Sequence, residues 1–140
     1  MVKNLSYNSK KIKTLLTEVV GRPLSLTERF KLRGIGSNKL VITDASKEIV
    51  ELLRLDNNIN YCNIEIRKNG IIIRFRSLLE TYGLIIPFYK LVIFKGDSKI
   101  YSFYKDRHYI KCFVDNESST TFIKKVIRLK TVYLKKMGLN

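Results

Sequence analysis

The chain has 140 residues, which is enough for one domain with a single core. Its hydrophobic content of 45% is ordinary for a globular protein and excludes wholesale disorder. The charge is unusual, because 27 Lys and Arg against 12 Asp and Glu give a net charge of +15. Such a protein attracts nucleic acid, anionic lipid head groups or an acidic protein, unless the charge serves solubility alone.

The first 60 residues are predicted to be mainly helical. Apolar residues recur on one helical face between residues 9 and 20, and a glycine follows where such a helix would end. Ser25 and Glu28 form the pattern of a capping box, which predicts a second, short helix. The Gly34-Ile35-Gly36 loop is expected to end that helix.

Two further elements of this part have less regular patterns. Residues 39–43 have the composition of a strand. Residues 44–55 fit both a helix and a strand, because Ile49, Leu52 and Leu53 share one helical face but also suit a sheet. Helix is the preferred interpretation.

A β-hairpin is predicted at Asn69-Gly70. This dipeptide is typical of a two-residue type I′ turn, in which both central residues need φ > 0. Folding the chain there places apolar residues on one face of the hairpin and opposite charges on the other. The expected cross-strand pairs are Ile66 with Ile73, Ile64 with Phe75, and Glu65 with Arg74.

Short strands continue at even spacing over residues 61–114. This spacing predicts an antiparallel meander of about six strands that forms a curled sheet or a barrel. Pro87 lacks the amide hydrogen that a ladder needs, so the third strand should end there or lie at an edge. The aromatic residues Phe75, Phe88 and Phe103 are expected in the core. The six predicted strands cover residues 61–68, 71–77, 82–86, 90–95, 99–104 and 109–114.

A long C-terminal helix is predicted over residues 118–137, where the apolar period changes from 2 to 3.6. Ser118, Ser119 or Thr120 is expected to cap its start. One face of this helix is apolar and the opposite face is basic, and we expect the apolar face to dock on the sheet rather than to lie on lipid. Because the sequence shows no linker or repeat, residues 1–140 are predicted to form a single α+β domain.

The order of elements over residues 61–137 resembles that of bacterial pleckstrin-homology-like (PH-like) domains. The similarity rests on the hairpin of residues 63–76, the strand end Ile85-Ile86-Pro87-Phe88 and the terminal helix. This resemblance implies a barrel that binds lipid head groups, peptides or partner domains. The chain departs from the lipid-binding pattern, because its first hairpin loop, Asn69-Gly70, is too short to hold a head group.

A second resemblance is to a family of small basic bacterial proteins of unknown function, and it implies no activity. The segments that carry it are Asn63-Ile64-Glu65-Ile66-Arg67, Leu79-Glu80-Thr81-Tyr82 and Ile86-Pro87-Phe88-Tyr89-Lys90-Leu91.

The cysteines and the apolar segments indicate a cytoplasmic protein. Cys62 and Cys112 lie in apolar strand-like context, so we expect reduced core residues rather than a disulfide or a metal site. The N-terminus lacks the apolar stretch of an export signal. The longest apolar run, residues 84–89, is too short to span a bilayer, so any membrane contact is expected to be peripheral.

Catalytic motifs are scarce in the sequence. It has no P-loop, GxGxxG, HExxH or paired CxxC motif, and the single histidine, His108, has no evident partner for acid–base chemistry, so no cofactor or metal is expected. The best enzyme candidate is Asp56 with Glu65 and Lys68, a pattern similar to the Asp…Glu-x-Lys motif of metal-dependent nucleases. Arg67 stands where lysine is usual, so a non-enzymatic protein is predicted, with a divergent nuclease as the minor alternative.

Basic residues along the predicted sheet and the last helix form the candidate binding face. Arginines on a rigid sheet can fork onto phosphates, and neighbouring aromatic rings can stack on bases, although a merely solvated face is the alternative. We predict a binding module that presents this face to an acidic protein or an anionic membrane surface, or else a sequence-nonspecific nucleic-acid-binding protein. The oligomeric state stays open. The predicted face consists of Arg67, Arg74, Arg76, Lys105, Arg107, Lys111, Lys124, Lys125 and Arg128.

Overall fold

The computed structural model describes residues 2–7, 9–55, 59–96 and 99–139. Within these ranges the chain is an α+β protein with four helices and one eight-stranded antiparallel sheet. The helices are α1 (Lys10–Val20), α2 (Leu26–Lys31), α3 (Lys47–Leu53) and α4 (Glu117–Lys136). The strands are β1 (Val2–Asn4), β2 (Leu40–Ala45), β3 (Tyr61–Arg67), β4 (Gly70–Ser77), β5 (Glu80–Pro87), β6 (Leu91–Lys95), β7 (Ile100–Lys105) and β8 (His108–Phe113).

Three of the four described helices, α1, α2 and α4, begin at residues whose side chains cap them. The predicted capping box of α2 is confirmed, because Ser25 Oγ accepts from Glu28 N at 3.2 Å and the Glu28 carboxylate accepts from Ser25 N at 2.9 Å. The predicted cap of α4 is wrong. Asn116 caps that helix instead, since its Oδ1 accepts from Ser119 N at 2.8 Å. The helical interpretation of residues 44–55 is confirmed over α3, whereas their first residues complete β2.

The sheet has the strand order β1-β5-β4-β3-β2-β8-β7-β6. All six strands of the predicted meander are present, with bounds within two residues of those expected. The predicted total of about six is nevertheless too low, because β1 and β2 come from the N-terminal part. Strands β3 to β5 form one antiparallel meander and strands β6 to β8 form another. Strand β2 joins the two meanders, because it pairs with both β3 and β8. Among the described strands, β1 and β6 are the edges, so the sheet is not a closed barrel.

The first hairpin has a different register from the predicted one. Arg67 pairs with Gly70, so the loop is Lys68-Asn69, and Ile64 pairs with Ile73 rather than with Phe75. No residue of this turn has positive φ, so the type I′ prediction is wrong. The shift is two residues, and because side chains alternate with a period of two, the same residues still face the core.

Gly70 is needed in this hairpin for close packing rather than for backbone freedom. A Cβ at Gly70 would lie 2.7 Å from Val20 Cγ1 and 2.8 Å from Pro87 Cα. The turn is also held by hydrogen bonds from outside the hairpin. Asn69 N donates to the carbonyl of Val20, and Phe88 N donates to the carbonyl of Asn69, both at 2.8 Å. The end of α1 and the end of β5 therefore fix the register.

The main core lies on one face of the sheet and is covered by α3 and α4. Ile49 of α3 and Phe122, Ile123 and Val126 of α4 are buried in it, which confirms the predicted docking of the last helix. The predicted core aromatics are also confirmed, since Phe75, Phe88 and Phe103 are all buried there. A second, smaller core lies on the other face, where Leu16 and Val20 of α1 pack on Ile72 and Ile85.

The two cysteines show how strongly the sheet bends. Cys62 on β3 and Cys112 on β8 are free, buried thiols, as predicted, and their Sγ atoms lie 3.4 Å apart. Strand β2 lies between them, and strands two apart in a flat sheet are separated by about 10 Å. The thiols can therefore meet only because the sheet curves around β2. The hydrogen bond with Cys112, followed by burial, raises the pKa of Cys62.

Candidate functional site

A surface groove of about 840 Å³ lies between the first half of α4 and the segment that joins α2 to β2. Among the described residues that line it, five are cationic and one, Glu117, is acidic. We call this feature the basic groove, and its cations are Lys31, Arg33, Lys124, Lys125 and Arg128.

One wall of the basic groove is a chain reversal held against the sheet. Arg33 has a φ of 58° and Gly34 a φ of 102°, and these left-handed conformations turn the chain after α2. The next residues run along β3, where Ile66 N donates to the carbonyl of Ile35 at 2.7 Å. The backbone of the sheet therefore fixes the position of Arg33.

The other wall is α4. Its buried residues Phe122, Ile123 and Val126 set the rotation of the helix on the main core. Lys124 and Arg128, four residues apart, consequently share an exposed side of α4 that borders the groove.

Lys125 joins the two walls. Its Nζ donates to the carbonyl of Gly34 at 3.0 Å and lies 5.5 Å from the centroid of the Phe122 ring. The pKa of Lys125 lies below its ordinary value, because burial disfavours the charged form and because Arg128 and Arg33 add like charge. An anion in the groove would relieve this repulsion, so the arrangement favours binding of a negatively charged group.

The three hairpin arginines do not form one exposed row, because α1 and the chain that follows it cover part of that face. Arg67 is only 8% exposed, its Nε donates to Glu65 Oε2 at 2.6 Å, and its Nη1 donates to the carbonyl of Gly21 at 3.3 Å. Arg74 forms a second ion pair with Glu65. Burial raises the pKa of Glu65, but the charge of Arg74 and the hydrogen bonds from both arginines outweigh it and lower the pKa overall.

Arg76 is exposed and lies apart from the basic groove. Together with Arg74 and Lys39 it lines a second cavity of about 590 Å³, in which Lys39 Nζ lies 5.6 Å from the Tyr61 ring centroid.

The three predicted residues of β7 and β8 lie elsewhere again. Lys105 is buried and shares a strand face with Phe103 of the main core, while Arg107 is exposed in the turn between the strands. Lys111 lies on the opposite face, with its Nζ 5.6 Å from the Tyr109 ring centroid.

The structure therefore brings together three of the nine predicted site residues, Lys124, Lys125 and Arg128. It adds Lys31 and Arg33, which the sequence reasoning missed. The sequence contains one signal for them, because Lys31 and Arg33 come just before the Gly34-Ile35-Gly36 loop, where the backbone must turn sharply.

An aromatic surface lies on the outward face of β6, β7 and β8. Phe94 is 58% exposed and packs edge-on against Tyr104, with the ring centroids 5.7 Å apart. The rings of Tyr104 and Tyr109 lie 5.2 Å apart. These tyrosines alternate with Phe103 and Ile110, which face the main core, so the aromatic surface is on the opposite side of the sheet from α4.

The residues that the sequence offered as catalytic candidates are His108, Glu65 and Asp56, and the contacts of the first two are those of structural residues. His108 begins β8, and its Nδ1 lies 3.6 Å from Glu48 Oε2. Burial is the main reason that the pKa of His108 lies below its usual value. Glu65 is engaged by two arginines, and Asp56 lies outside the described residues. Within the described ranges, no group of three or more His, Cys, Asp or Glu is placed to hold a metal ion.

No family model, curated protein or solved structure matches this chain. The resemblances to PH-like domains and to a small basic bacterial family therefore stay predictions. In the part of the chain that the structure describes, no helix is both long enough and apolar enough to cross a membrane.

Proposed function

We propose that this protein is a non-enzymatic binding module whose basic groove receives an anionic partner, either an acidic protein segment or the surface of an anionic membrane. The observation that carries the proposal is the convergence of five cations from two distant segments in one groove lined by a single carboxylate. Association would be driven by charge complementarity, and its affinity would fall as salt rises.

The position of Lys125 supports a preorganised binding site rather than a set of cations that are merely solvated. Lys125 is tied to the opposite wall by its hydrogen bond to Gly34, and its lowered pKa reflects crowding by Arg33 and Arg128 as well as burial. A cation held in place before binding, as Lys125 is, loses less side-chain entropy on binding than a free lysine would.

The test compares two triple variants of equal charge. Arg33→Gln, Lys124→Gln and Arg128→Gln remove charge from the groove, while Lys10→Gln, Lys11→Gln and Lys13→Gln remove the same charge from exposed positions of α1. Binding to a fluorescein-labelled polyglutamate peptide and to vesicles containing phosphatidylserine is measured by anisotropy and by sedimentation. The groove variant should bind about tenfold more weakly, as three contacts of about 0.5 kcal/mol each imply.

Equal weakening by both triple variants would show that net charge alone acts, and would overturn the groove as the site. Absence of binding to both probes by the unmodified protein would overturn the proposed function itself.

The second candidate function is sequence-nonspecific binding of nucleic acid. It is favoured by the aromatic surface of Phe94, Tyr104 and Tyr109 with Lys111 beside it, since exposed rings on a sheet can stack on bases. The aromatic surface lies on the far side of the sheet from the basic groove, so one short strand cannot use both, and this separation ranks the function second. Binding of single-stranded oligothymidylate would favour it if log affinity falls linearly with log salt and if Tyr104→Ala weakens the binding.

The resemblance of the order of elements to PH-like domains agrees with this proposal, because those domains act by binding and also carry a helix packed on their sheet. The fold as such does not select a partner.

A further inference from the structure

Two large apolar side chains project into solvent from α2. Leu26 is 83% exposed and Phe30 is 86% exposed, and no residue of this helix is buried. They are four residues apart and so lie side by side on one face of the helix. We call Leu26 and Phe30 the apolar pair.

The chain is anchored in the protein on both sides of α2, and local polar contacts hold the helix together, so the apolar pair is presented at a defined place. Leu24, just before the helix, is buried in the main core, and Leu32, just after it, packs against that core. Arg22 forms an ion pair with Glu28 at 2.9 Å, and Arg29 Nε donates to the carbonyl of Leu24 at 3.0 Å. The residues on either side of α2 therefore contact the core, whereas the apolar pair on the helix itself faces solvent.

Cations flank the apolar pair in the sequence. Residues 22–33 contain four of them, Arg22, Arg29, Lys31 and Arg33, and a single acid, Glu28, so the segment carries a net charge of +3. Lys31 and Arg33 also line the basic groove, and they follow Phe30 directly in the chain. The segment that carries the apolar pair therefore continues directly into one wall of the groove.

We infer that the apolar pair inserts into the interface of a bilayer that contains anionic phospholipid, while the cations of α2 and of the basic groove bind the lipid head groups. This inference rests on the proposed function and names its partner. Apolar insertion combined with a basic patch is the pair of signals that holds a peripheral protein on a membrane.

The size of the apolar pair favours a bilayer over a protein partner. A leucine and a phenylalanine offer roughly 300–400 Å² of apolar surface, by the areas that large side chains bury. A specific protein interface needs about 800 Å² from each partner. Insertion into lipid requires no such matching surface, and the surrounding charge is complementary to phosphatidylserine.

The chain contains no tryptophan, which allows a direct test. In Phe30→Trp the introduced indole should shift its emission to shorter wavelength when phosphatidylserine-containing vesicles are added, and lipids with brominated acyl chains should quench it. Ile59→Trp serves as the matched reporter, because Ile59 is also exposed, at 66%, but lies outside α2. Its emission should not change.

Vesicle sedimentation provides the second measurement. Leu26→Ala with Phe30→Ala should lower binding by about 10- to 100-fold, given the apolar surface removed. The control, Leu79→Ala with Ile59→Ala, removes comparable exposed apolar surface elsewhere and should bind normally. Both double variants keep the charge, and the altered side chains lie outside the core, so both should fold.

Each contrary outcome identifies what has failed. If the protein binds polyglutamate but not vesicles, or if Leu26→Ala with Phe30→Ala binds vesicles normally, the membrane inference is overturned and the proposed function stands. A concentration-dependent blue shift of Phe30→Trp without lipid would assign the apolar pair to self-association and overturn the inference. If the groove variant that also carries Phe30→Trp loses binding to both probes and shows no indole shift with vesicles, the result supports the groove and the inference together.

Discussion

Lys125 of α4 donates a hydrogen bond of 3.0 Å to the carbonyl of Gly34, a residue 91 positions earlier in the chain. This contact crosses the basic groove at the point where the chain reverses after α2. It places an ammonium group beside Arg33 and Arg128, although all three carry the same charge. Such an arrangement is stable only because the docking of α4 and the path of the chain along β3 hold the two walls together.

The pKa of Lys125 should rise in Arg128→Gln. Burial is the main cause of its lowered pKa, and the like charge of Arg128 is the next, so removal of that charge moves the pKa towards its ordinary value. The measurement is an NMR titration of the Lys125 side chain. Arg76→Gln, which removes an exposed arginine outside the groove, is the control and should leave this pKa unchanged. An unchanged pKa in Arg128→Gln would contradict the crowding of charge in the groove.

Gly70→Ala should destabilise the protein by about 2 kcal/mol or more, as expected when an extra methyl group is forced into a packed site. The added Cβ would lie 2.7 Å from Val20 Cγ1 and 2.8 Å from Pro87 Cα. Urea unfolding measures the loss. In the control, Gly96→Ala, the nearest described atom beyond the chain neighbours of Gly96 is 3.6 Å from the new Cβ, so a change below about 0.5 kcal/mol is expected. Equal stability of the two variants would show that the hairpin tolerates a different register.

Glu65→Gln should cost about 3 kcal/mol, because it leaves the buried guanidinium of Arg67 without its carboxylate. The matched change is Glu48→Gln, which converts an exposed carboxylate to the same amide and should cost less than about 0.5 kcal/mol. Both are measured by urea unfolding at neutral pH. A small cost for Glu65→Gln would mean that neither Arg67 nor Arg74 depends on this carboxylate, and would contradict the pairing.

The stability contributed by Glu28 should be lost in acid. Its pKa is lowered from 4.5 to about 2, first by the hydrogen bond from Arg22 and then by the backbone amide of Ser25. Because the folded-state pKa lies below the unfolded one, the contribution is fully present above about pH 4.5 and declines as the pH falls towards 2. The free energy of unfolding of the native protein should exceed that of Glu28→Gln at neutral pH, and the two should converge in acid. A difference that persists at pH 2 would contradict this.

Local patterns predicted most of the secondary structure. The apolar period of residues 9–20, the capping box of Ser25 and Glu28, and the alternation along residues 61–114 depend only on neighbours a few positions apart. Strand β1 was missed, because three residues carry no periodicity. The hairpin register was missed for a different reason, since Val20, Pro87 and Phe88 contact the turn and outweigh its intrinsic preference.

For the candidate site, the sequence identified the basic face of α4 but assigned equal weight to arginines that the structure buries or pairs. Arg67 and Arg74 share one carboxylate, and the covering of their face by α1 is not visible in the pattern of β3 and β4. Lys31 and Arg33 were overlooked because the glycine-containing loop that follows them predicts a turn, but not that this turn lies against α4.

The sequence by itself determined the helices, the six strands after Asn60, the buried aromatics and the excess of positive charge. Tertiary structure alone decided that β2 lies between β3 and β8, that α1 covers the outer face of the hairpin, and that cations from two distant segments face each other. The reason is the range of the forces involved. Periodicity and capping act over one or two turns of chain, whereas a groove forms only where two separately folded segments dock on the same sheet.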